Sequence, residues 1–571
     1  MGDPPVSLKS NCQEREATMS SVSSIRFVAS AAAAPLALAS ALSCARLPAG
    51  GVPGPAADQR DWPSYNRTLG GDRFSPLAEI NRTNVANLRQ ACAYTLPEVT
   101  SLQTGPIVIG GIMYFTTDTI SYAIDASSCA DKWRQVRHSP TPSALAVNRG
   151  FAYMDGRLFR GTSDSHVLAM DPSDGHILWD VTIDAAGHGV TIPMAPVAAH
   201  GLVFVGNAGG DAVGVTGHVY AFDARDGHQV WKFDVVPSSG PTVATWPSAP
   251  QVPMSGGAFW TSFTYDVPNN VLYVPAGNPA PDFDIDMRRG DNLYTNSVIA
   301  LDGSTGRMLG YNQLVKHDTH DWDVDSPPTL VTTRSGRPIV ASANKNGLLS
   351  ILDRSRLSTA RADVPPANLG AALPLVAEMP TTTRENADVP LSRDRIVHFC
   401  PGITGGTEWN GAAYSPALNS LFVGAVDLCA NVKLQPRDAP IPNAGETWLA
   451  AGNPFPEIAD APEKARGWVT SFDAENGAVR WKRQLPHPVL AGVTPTAGGV
   501  VFTADLGGVI YALDATDGRI LWQLNSGQSA GGGVISYSVG GHQFIGIASG
   551  MKSSVWPGAA QQSRILVFGL H

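Results

Sequence analysis

Short apolar runs recur along the chain, and each one ends at an aspartate that is followed by a turn and then by a tryptophan. The tryptophan stands eight residues after the aspartate, and the turn contains glycine in most units. Turns of this kind between alternating apolar runs are typical of β-hairpins. Five units are complete: YAIDASSCADKW with Asp125, LAMDPSDGHILW with Asp171, YAFDARDGHQVW with Asp223, TSFDAENGAVRW with Asp473, and YALDATDGRILW with Asp514.

Two further units are degenerate. Asp302 is followed by Gly310 where the tryptophan would stand, and the unit around Asp353 keeps little beyond its aspartate. Successive aspartates are mostly 41 to 52 residues apart, which is about the length of one four-stranded propeller blade. The pattern therefore predicts a repeat of blades.

Two intervals are longer, from Asp223 to Asp302 and from Asp353 to Asp473. We expect long loops in both, and one blade that has lost the signature within the second. The seven marked units and this hidden blade predict an all-β fold, an eight-bladed β-propeller of four-stranded blades. The repeated tryptophan predicts packing between neighbouring blades.

Composition agrees with many short strands and turns, because only 16 % of the 571 residues are charged and glycine and proline number 58 and 44. The net charge is −9 with a pI of about 5.8 and no long basic run, so nucleic acid is a poor candidate partner. No segment after the N-terminal region has about 20 consecutive apolar residues, the length needed to span a membrane.

The N-terminus predicts an export signal and a linker over residues 1–57, followed by one catalytic propeller domain over residues 58–571. Met19 opens a segment with Arg26 as its positive start and an apolar run at 27–42. Leu-Ser-Cys at Cys44 faintly resembles a lipoprotein site. We favour a released periplasmic protein, attached to a membrane at most through a lipid anchor.

Six cysteines fit an oxidising compartment. Cys12 and Cys44 lie in or near the signal, whereas the sequence-local pairs Cys92 with Cys129 and Cys400 with Cys429 could form disulfides. The absence of a Cys-x-x-Cys-His motif excludes a covalently attached c-type haem on this chain.

The stretch 317–325, HDTHDWDVD, concentrates four aspartates and two histidines. In an extended backbone Asp321, Asp323 and Asp325 would share a face, and like charges that close repel unless a cation or a proton relieves them. A hard cation bound by carboxylate and amide oxygens is the simplest relief. The alternative is a solvated loop whose aspartates cap turns before Ser326-Pro327-Pro328.

The Asp-x7-Trp units, the opening DWPSYNRTLGGDRFSPLAEINRTNVANL and the motif VNRGFAY at 147–153 resemble the quinoprotein alcohol dehydrogenases. The resemblance runs from about residue 60 to the C-terminus. It implies an eight-bladed propeller that holds pyrroloquinoline quinone (PQQ) and a cation, Ca²⁺ or a lanthanide ion, on its axis. It also implies oxidation of a small-molecule alcohol to an aldehyde or ketone, with electrons passing to a separate acceptor such as a soluble cytochrome c.

The resemblance assigns roles to residues of the central motifs. Trp260 in GGAFWTSF matches the tryptophan that stacks on the quinone, and Asn278 in AGNPAP matches the amide ligand of the cation. Asp321 falls on the catalytic aspartate, which would take the hydroxyl proton as general base. Asp323 falls on a position that is acidic in lanthanide-using members. Lys345 in ANKNG matches the cation beside the quinone oxygens, where it would stabilise the reduced cofactor.

Further matches concern residues that would contact the edge of the cofactor. Arg149 in VNRG resembles the arginine that pairs with a cofactor carboxylate, Gln103 occupies a cofactor-contacting position, and Glu408-Trp409 stand where many members have Asn-Trp near the quinone. Cys400 and Cys429 match a family disulfide, whereas Ser143-Ala144 replace the adjacent cysteines found in many members.

The chain departs from the family at one metal ligand. In GNAGGDAVGVTG the position of the usual glutamate reads Ala212, with Asp211 beside it. Asp211 could substitute through a small shift of the loop, or the site could lose that ligand.

Two alternatives to an alcohol dehydrogenase remain open. One is a non-catalytic propeller scaffold or assembly lipoprotein that shares the repeats. The other is a quinoprotein that acts on a sugar or a polymeric alcohol.

Overall fold

A computed structural model describes residues 60–138, 146–183, 189–246, 252–357, 372–454, 457–553, 555–556 and 562–570. The predicted export segment and linker, Cys12, Cys44, Ser143 and Ala144 lie outside the described residues. The described part contains no helix that is long and apolar enough to cross a membrane.

The first half of the chain forms β1 and four blades. β1 spans Arg89–Thr95. Blade 1 contains β2 (Ile107–Ile109), β3 (Ile112–Thr116), β4 (Ile120–Asp125) and β5 (Asp131–Val136). Blade 2 contains β6 (Ala152–Met154), β7 (Arg157–Gly161), β8 (His166–Met170) and β9 (Ile177–Thr182). Blade 3 contains β10 (Val197–Ala199), β11 (Leu202–Gly206), β12 (His218–Asp223) and β13 (Gln229–Asp234). Blade 4 contains β15 (Thr264–Asp266), β16 (Val271–Ala276), β18 (Ser297–Asp302) and β19 (Met308–Gln313), and β14 (Ser255–Gly256) pairs with β17 (Pro279–Ala280) beside it.

The second half forms the other four blades. Blade 5 contains β20 (Thr329–Thr332), β21 (Pro338–Ala343), β22 (Leu348–Asp353) and β23 (Leu375–Pro380). Blade 6 contains β25 (Ala413–Ser415), β26 (Ser420–Asp427), β28 (Arg466–Asp473) and β29 (Val479–Leu485), and β24 (Val397–Phe399) pairs with β27 (Ala430–Val432). Blade 7 contains β30 (Thr494–Pro495), β31 (Val500–Ala504), β32 (Val509–Asp514) and β33 (Ile520–Asn525). The C-terminal strands are β34 (Val534–Val539), β35 (His542–Ser549) and β36 (Arg564–Gly569), and short 3-10 helices span Val85–Asn87, Pro241–Thr245, Ile285–Met287 and Pro462–Lys464.

The predicted eight-bladed, all-β propeller is confirmed, because the described strands form eight four-stranded antiparallel sheets. The position predicted for the hidden blade is wrong. Between Asp353 and Asp473 the chain completes blade 5, forms the β24–β27 pair and begins blade 6. The unmarked blade is blade 8, in which β1 from the N-terminus is the outer strand beside β36, β35 and β34. Its strands come from both ends of the chain, so no continuous segment carries the aspartate-to-tryptophan unit.

The repeated unit is explained by the contact between neighbouring blades. In blade 2, Asp171 accepts hydrogen bonds from the backbone N–H groups of Ser173 at 2.8 Å and Gly175 at 2.9 Å, which closes the turn. Gly175 has φ +78°, and a Cβ atom there would lie 2.6 Å from the ring of Trp133 in blade 1. The Trp133 indole N–H donates to the carbonyl of Pro172 at 2.9 Å. The tryptophan of one blade therefore needs the glycine of the next, as predicted for packing between blades.

The same contact recurs at other boundaries. The equivalent pairs are Trp179 with Gly227, Trp231 with Gly306, and Trp481 with Gly518. Apolar side chains of adjacent sheets fill the space around them, as where Phe204 of blade 3 stacks on Tyr265 of blade 4 with ring centroids 5.3 Å apart.

A disulfide takes the place of this contact between blades 8 and 1. Cys129 stands four residues after Asp125, where other units have glycine, and it shares the positive φ (59°) and the hydrogen bond from its N–H to the Asp125 carbonyl at 2.9 Å. Cys92 lies on the outer strand of blade 8 opposite Val567, as Trp133 lies on the outer strand of blade 1 opposite Ala123. The Cys92–Cys129 bond joins these positions, and a second disulfide links Cys400 and Cys429 at the ends of the β24–β27 pair.

The segment before β1 crosses the centre of the ring. The first strands of successive blades contact one another from blade 2 to blade 8 and so line the axis. The backbone of residues 69–75 bonds to four of them: Leu69 to Tyr265 in blade 4, Gly70 to Leu330 in blade 5, Asp72 to Tyr414 in blade 6, and Ser75 to Pro495 in blade 7. This segment therefore lies along the axis, bonded to the strands that line it.

We predict that the Cys92–Cys129 disulfide substitutes energetically for a tryptophan contact. Replacing both cysteines by serine should lower the free energy of unfolding by about 2–4 kcal/mol, because the bond constrains the unfolded chain. The double variant Cys92→Trp/Cys129→Gly, which rebuilds the contact of the other boundaries, should recover part of that loss. Urea and thermal denaturation of the three proteins measure the effect. Equal stability of the serine variant and the parent would contradict it.

Candidate functional site

The predicted site residues lie together at the centre of the ring although they come from six blades. Each stands in a loop just before the first strand of a blade, or in a loop between two inner strands. Their hydrogen bonds, ion pairs and ring contacts form two adjoining groups: an aromatic group with Gln103, Arg149, Trp260 and Trp409, and an acidic group with Asp211, Asn278, Asp321, Asp323 and Lys345. Glu408 lies between the groups, because the positive charges of both Lys345 and Arg149 act to lower the pKa of its carboxyl.

Arg149 is fixed between two tryptophan rings. Its guanidinium carbon lies 5.0 Å from the ring centroids of Trp260 and of Trp409. It donates to the Trp260 carbonyl at 2.6 Å and to the Gln103 side-chain oxygen at 2.7 Å. Burial lowers the pKa of Arg149 to about 10, so the side chain remains a cation at neutral pH. The half-buried Trp260 and this cation offer an aromatic face beside a carboxylate-binding group.

Lys345 joins two aspartates of the 317–325 stretch. Its ammonium nitrogen lies 3.1 Å from Asp321 Oδ1 and 2.8 Å from Asp323 Oδ2. Burial alone would lower the pKa of Lys345, but the charges of Asp321 and Asp323 raise it well above its ordinary value. The lysine is therefore a permanent cation in a buried setting. Asp321 also has φ +60°, a strained conformation for a non-glycine residue that occurs preferentially at functional sites.

Asn278 connects the lysine pair with a third carboxylate. Its backbone N–H donates to Asp323 Oδ1 at 2.9 Å, and its side-chain nitrogen donates to Asp282 Oδ1 at 3.1 Å. Because the amide nitrogen is the donor in this contact, the carbonyl oxygen of the side chain is the atom suited to a cation.

Asp282 is a site residue that the sequence analysis missed. It is fully buried at 0 % exposure, and one carboxylate oxygen each of Asp211, Asp282 and Asp321 lie within 4.8 Å of one another. Among the described residues Asp282 Oδ2 has no hydrogen-bond partner. Burial first, and the charge of Asp211 second, raises the pKa of Asp282 well above its ordinary value. A hard cation takes several oxygen ligands of this type, so the donor set fits Ca²⁺ or a lanthanide ion.

Asp211 reaches this cluster from the loop in which Ala212 replaces the expected glutamate. The Asp211 side chain is exposed, its carbonyl accepts from Trp448 N–H at 2.7 Å, and Ala212 forms a bridge with Thr447. The loop is thus held by the segment around Trp448 with Asp211 directed at the acidic group.

Asp318, His320 and Trp322 hold the 317–325 stretch in place. Asp318 accepts from the backbone N–H groups of His320 and Trp322 at 3.0 Å each, and His320 stacks on Trp322 with centroids 4.1 Å apart. Asp325 is buried, and burial followed by the charge of Glu408 raises its pKa well above its ordinary value. The stretch is mostly buried, which rules out the solvated-loop interpretation.

Sequence comparison finds that residues 62–356 match the family model described as "Glucose/ethanol/alcohol dehydrogenase, beta-propeller domain", and residues 465–548 match a model described as "Outer membrane protein assembly factor BamB". The chain is 28 % identical over 545 residues to quinohemoprotein alcohol dehydrogenase ADH IIB of Pseudomonas putida, covering 89 % of this chain and 77 % of that protein. It is 27 % identical over 560 residues to methanol dehydrogenase [cytochrome c] subunit 1 of Paracoccus denitrificans, covering 90 % and 86 %.

Solved structures show the same fold. Quinohemoprotein alcohol dehydrogenase ADHIIG of Pseudomonas putida HK5 superposes with a TM-score of 0.78 at 24 % identity, covering 92 % of this chain and 83 % of that one. A europium-containing methanol dehydrogenase superposes with a TM-score of 0.76 at 23 % identity, covering 90 % and 98 %.

We predict that Glu408 makes the protein less stable as the pH rises. Burial raises the pKa of Glu408 to about 8, so between about pH 4.5 and 8 the unfolded chain ionises this group while the folded protein keeps its proton, and stability falls across that window. Glu408→Gln removes the titration. Its melting temperature relative to the parent should rise by about 2 °C between pH 5 and pH 8.

Calorimetry in EDTA without added cofactor measures this effect. Glu463→Gln, at an exposed glutamate, is the matched control and should follow the parent at every pH. A constant difference between Glu408→Gln and the parent across the range would refute the prediction.

Proposed function

The chain belongs to the glucose/ethanol/alcohol dehydrogenase β-propeller family, and on that premise we propose that it is a PQQ- and metal-dependent oxidoreductase that converts an alcohol to an aldehyde or ketone. The observation that carries the proposal is the buried contact of Lys345 with Asp321 and Asp323 beside the half-buried Trp260. These side chains supply a base, a fixed cation and an aromatic plate in one cavity.

The chain's own residues would hold the cofactor from several directions. Trp260 would contact the flat face of the quinone, and Arg149 with Gln103 would bind a carboxylate at its edge. Lys345, Glu408 and Trp409 would complete the surrounding wall, and Asn278, Asp321, Asp323 and Asp211 would bind the metal ion. When bound, the quinone supplies an acceptor for two electrons and the cation a Lewis acid.

Asp321 is proposed to accept the proton of the alcohol hydroxyl. Burial raises the pKa of Asp321 well above its ordinary value, whereas the neighbouring ammonium of Lys345 lowers it. Lys345 would thus oppose the effect of burial and favour the ionised form of Asp321, which is the form that accepts a proton. Because Asp323 contacts the same ammonium at 2.8 Å, it is the natural comparison when the base is tested.

A scaffold function is the second candidate, favoured by the BamB-type match over residues 465–548. The buried carboxylates at the centre of the ring argue against a scaffold function, because they lower the stability of the fold. Buried carboxylates without full hydrogen bonding are unfavourable unless a ligand compensates them, and a protein that used only its outer surface would gain nothing from Asp282 in this position. Oxidation of a sugar or a polymeric alcohol would use the same residues on another substrate.

The proposed setting is the periplasm, with residues 1–57 as export signal and linker and residues 58–571 as the catalytic propeller. Since the chain has no Cys-x-x-Cys-His motif, a separate acceptor such as a cytochrome c would receive the electrons. Electron transfer requires only a small, transient interface.

Reconstitution of the purified protein tests the function. With PQQ and either Ca²⁺ or a lanthanide ion, the parent should reduce an artificial dye in the presence of an alcohol, and a panel that includes sugars identifies the substrate class. Asp321→Asn should lower kcat by about 10²- to 10⁴-fold while PQQ content, measured by absorbance, is unchanged. Asp323→Asn is made in parallel. If only Asp323→Asn abolishes turnover, the base is Asp323, and if neither does, the proposed proton acceptor is wrong.

A further inference from the structure

We propose that Asp282 is an additional carboxylate ligand of the metal ion. This inference rests on the proposed function, which places a cation beside Asp211 and Asp321. It goes beyond that function by naming a ligand in a turn that the sequence motifs did not single out.

The first argument is the unpartnered oxygen of Asp282. The side chain is 0 % exposed, its Oδ1 accepts from Asn278, and its Oδ2 has no hydrogen-bond partner within the described part of the chain. A buried carboxylate normally finds partners for both oxygens. One oxygen of this carboxylate lies within 4.8 Å of oxygens of Asp211 and Asp321, so the Asp282 side chain has the position of a ligand.

The second argument is that Arg288, whose charge acts on this carboxylate, makes hydrogen bonds to the backbone. Arg288 is buried beside the carboxylate and donates to the backbone carbonyls of Pro281 at 2.7 Å and of Asp282 at 2.8 Å. Arg288 therefore fixes the turn that carries Asp282 and leaves its carboxylate directed at Asn278. The turn is built to present the acid.

The third argument concerns the donor set. With Ala212 at the position where a glutamate was expected, Asp282 supplies a carboxylate oxygen close to those of Asp211 and Asp321 from a different loop. Hard cations take several oxygen ligands of this kind.

Terbium(III) luminescence tests the assignment without relying on turnover. The metal-free full-length protein is titrated with Tb³⁺, with and without PQQ, and the excited-state lifetimes in H₂O and D₂O give the number of water molecules on the ion. The parent should bind one Tb³⁺ per chain. Asp282→Asn should weaken binding at least tenfold and add about one coordinated water.

Asp284→Asn is the matched control. Asp284 lies two residues further on and is also buried, but its carboxylate pairs with Arg393 at 2.6 Å, so this variant should keep the affinity and hydration of the parent. Thermal melting of the metal-free proteins checks folding, and Asp282→Asn should melt no lower than the parent because a buried repulsion is removed.

The outcomes distinguish a failure of the Asp282 assignment from a failure of the proposed cation site. If the parent binds Tb³⁺ and Asp282→Asn does so with the same affinity and hydration, Asp282 is not a ligand although the cation site stands. If the parent binds no Tb³⁺ with or without PQQ, the cation site itself fails, and the proposed function fails with it.

Discussion

The centre of this molecule depends on the compensation of buried charge. Lys345 contacts Asp321 and Asp323, and Asp211 and Asp282 add two further carboxylates beside them. Removing a charge from water is costly unless a counter-charge and hydrogen bonds replace the solvent, and Lys345 and Arg288 together cannot balance four acids. The arrangement is stable only in a rigid frame that forces these loops together, and it is best satisfied when a cation joins them.

That frame is a ring whose parts fit by a single repeated contact. A tryptophan on the outer strand of one blade covers the turn glycine of the next, and the aspartate at the start of the unit holds that turn closed. The aspartate, the turn glycine and the tryptophan of the repeat thus belong to one kind of interface. The tryptophan of one blade forms one side, and the aspartate and glycine of the next blade form the other. Where Cys92 and Cys129 occupy the tryptophan and glycine positions, a covalent bond makes the same connection.

The sequence predicted the features that are encoded locally and missed those that arise from distant segments. The blade number followed from the repeat because every marked unit is continuous in sequence. Blade 8 was misplaced because β1 is separated from β34, β35 and β36 by most of the chain. Motifs singled out Trp260, Asn278 and Lys345, whereas Asp282 lies in a proline-rich turn with no chemical pattern of its own. The only signal for it was an acid four residues after Asn278, and its burial is visible only once the ring has formed.

The closure of the ring and the chemistry of the centre are linked through the N-terminal segment. Before it supplies β1 to blade 8, this segment crosses the axis, where Arg73 donates to the Asn410 side-chain oxygen at 2.8 Å and Tyr65 donates to the same atom at 3.1 Å. Asn410 follows Glu408 and Trp409 directly, so the strand that closes the ring is continuous with the residues that support the wall of the site. The segment that supplies the shared outer strand therefore also brings the opening motif of the sequence next to the predicted site residues.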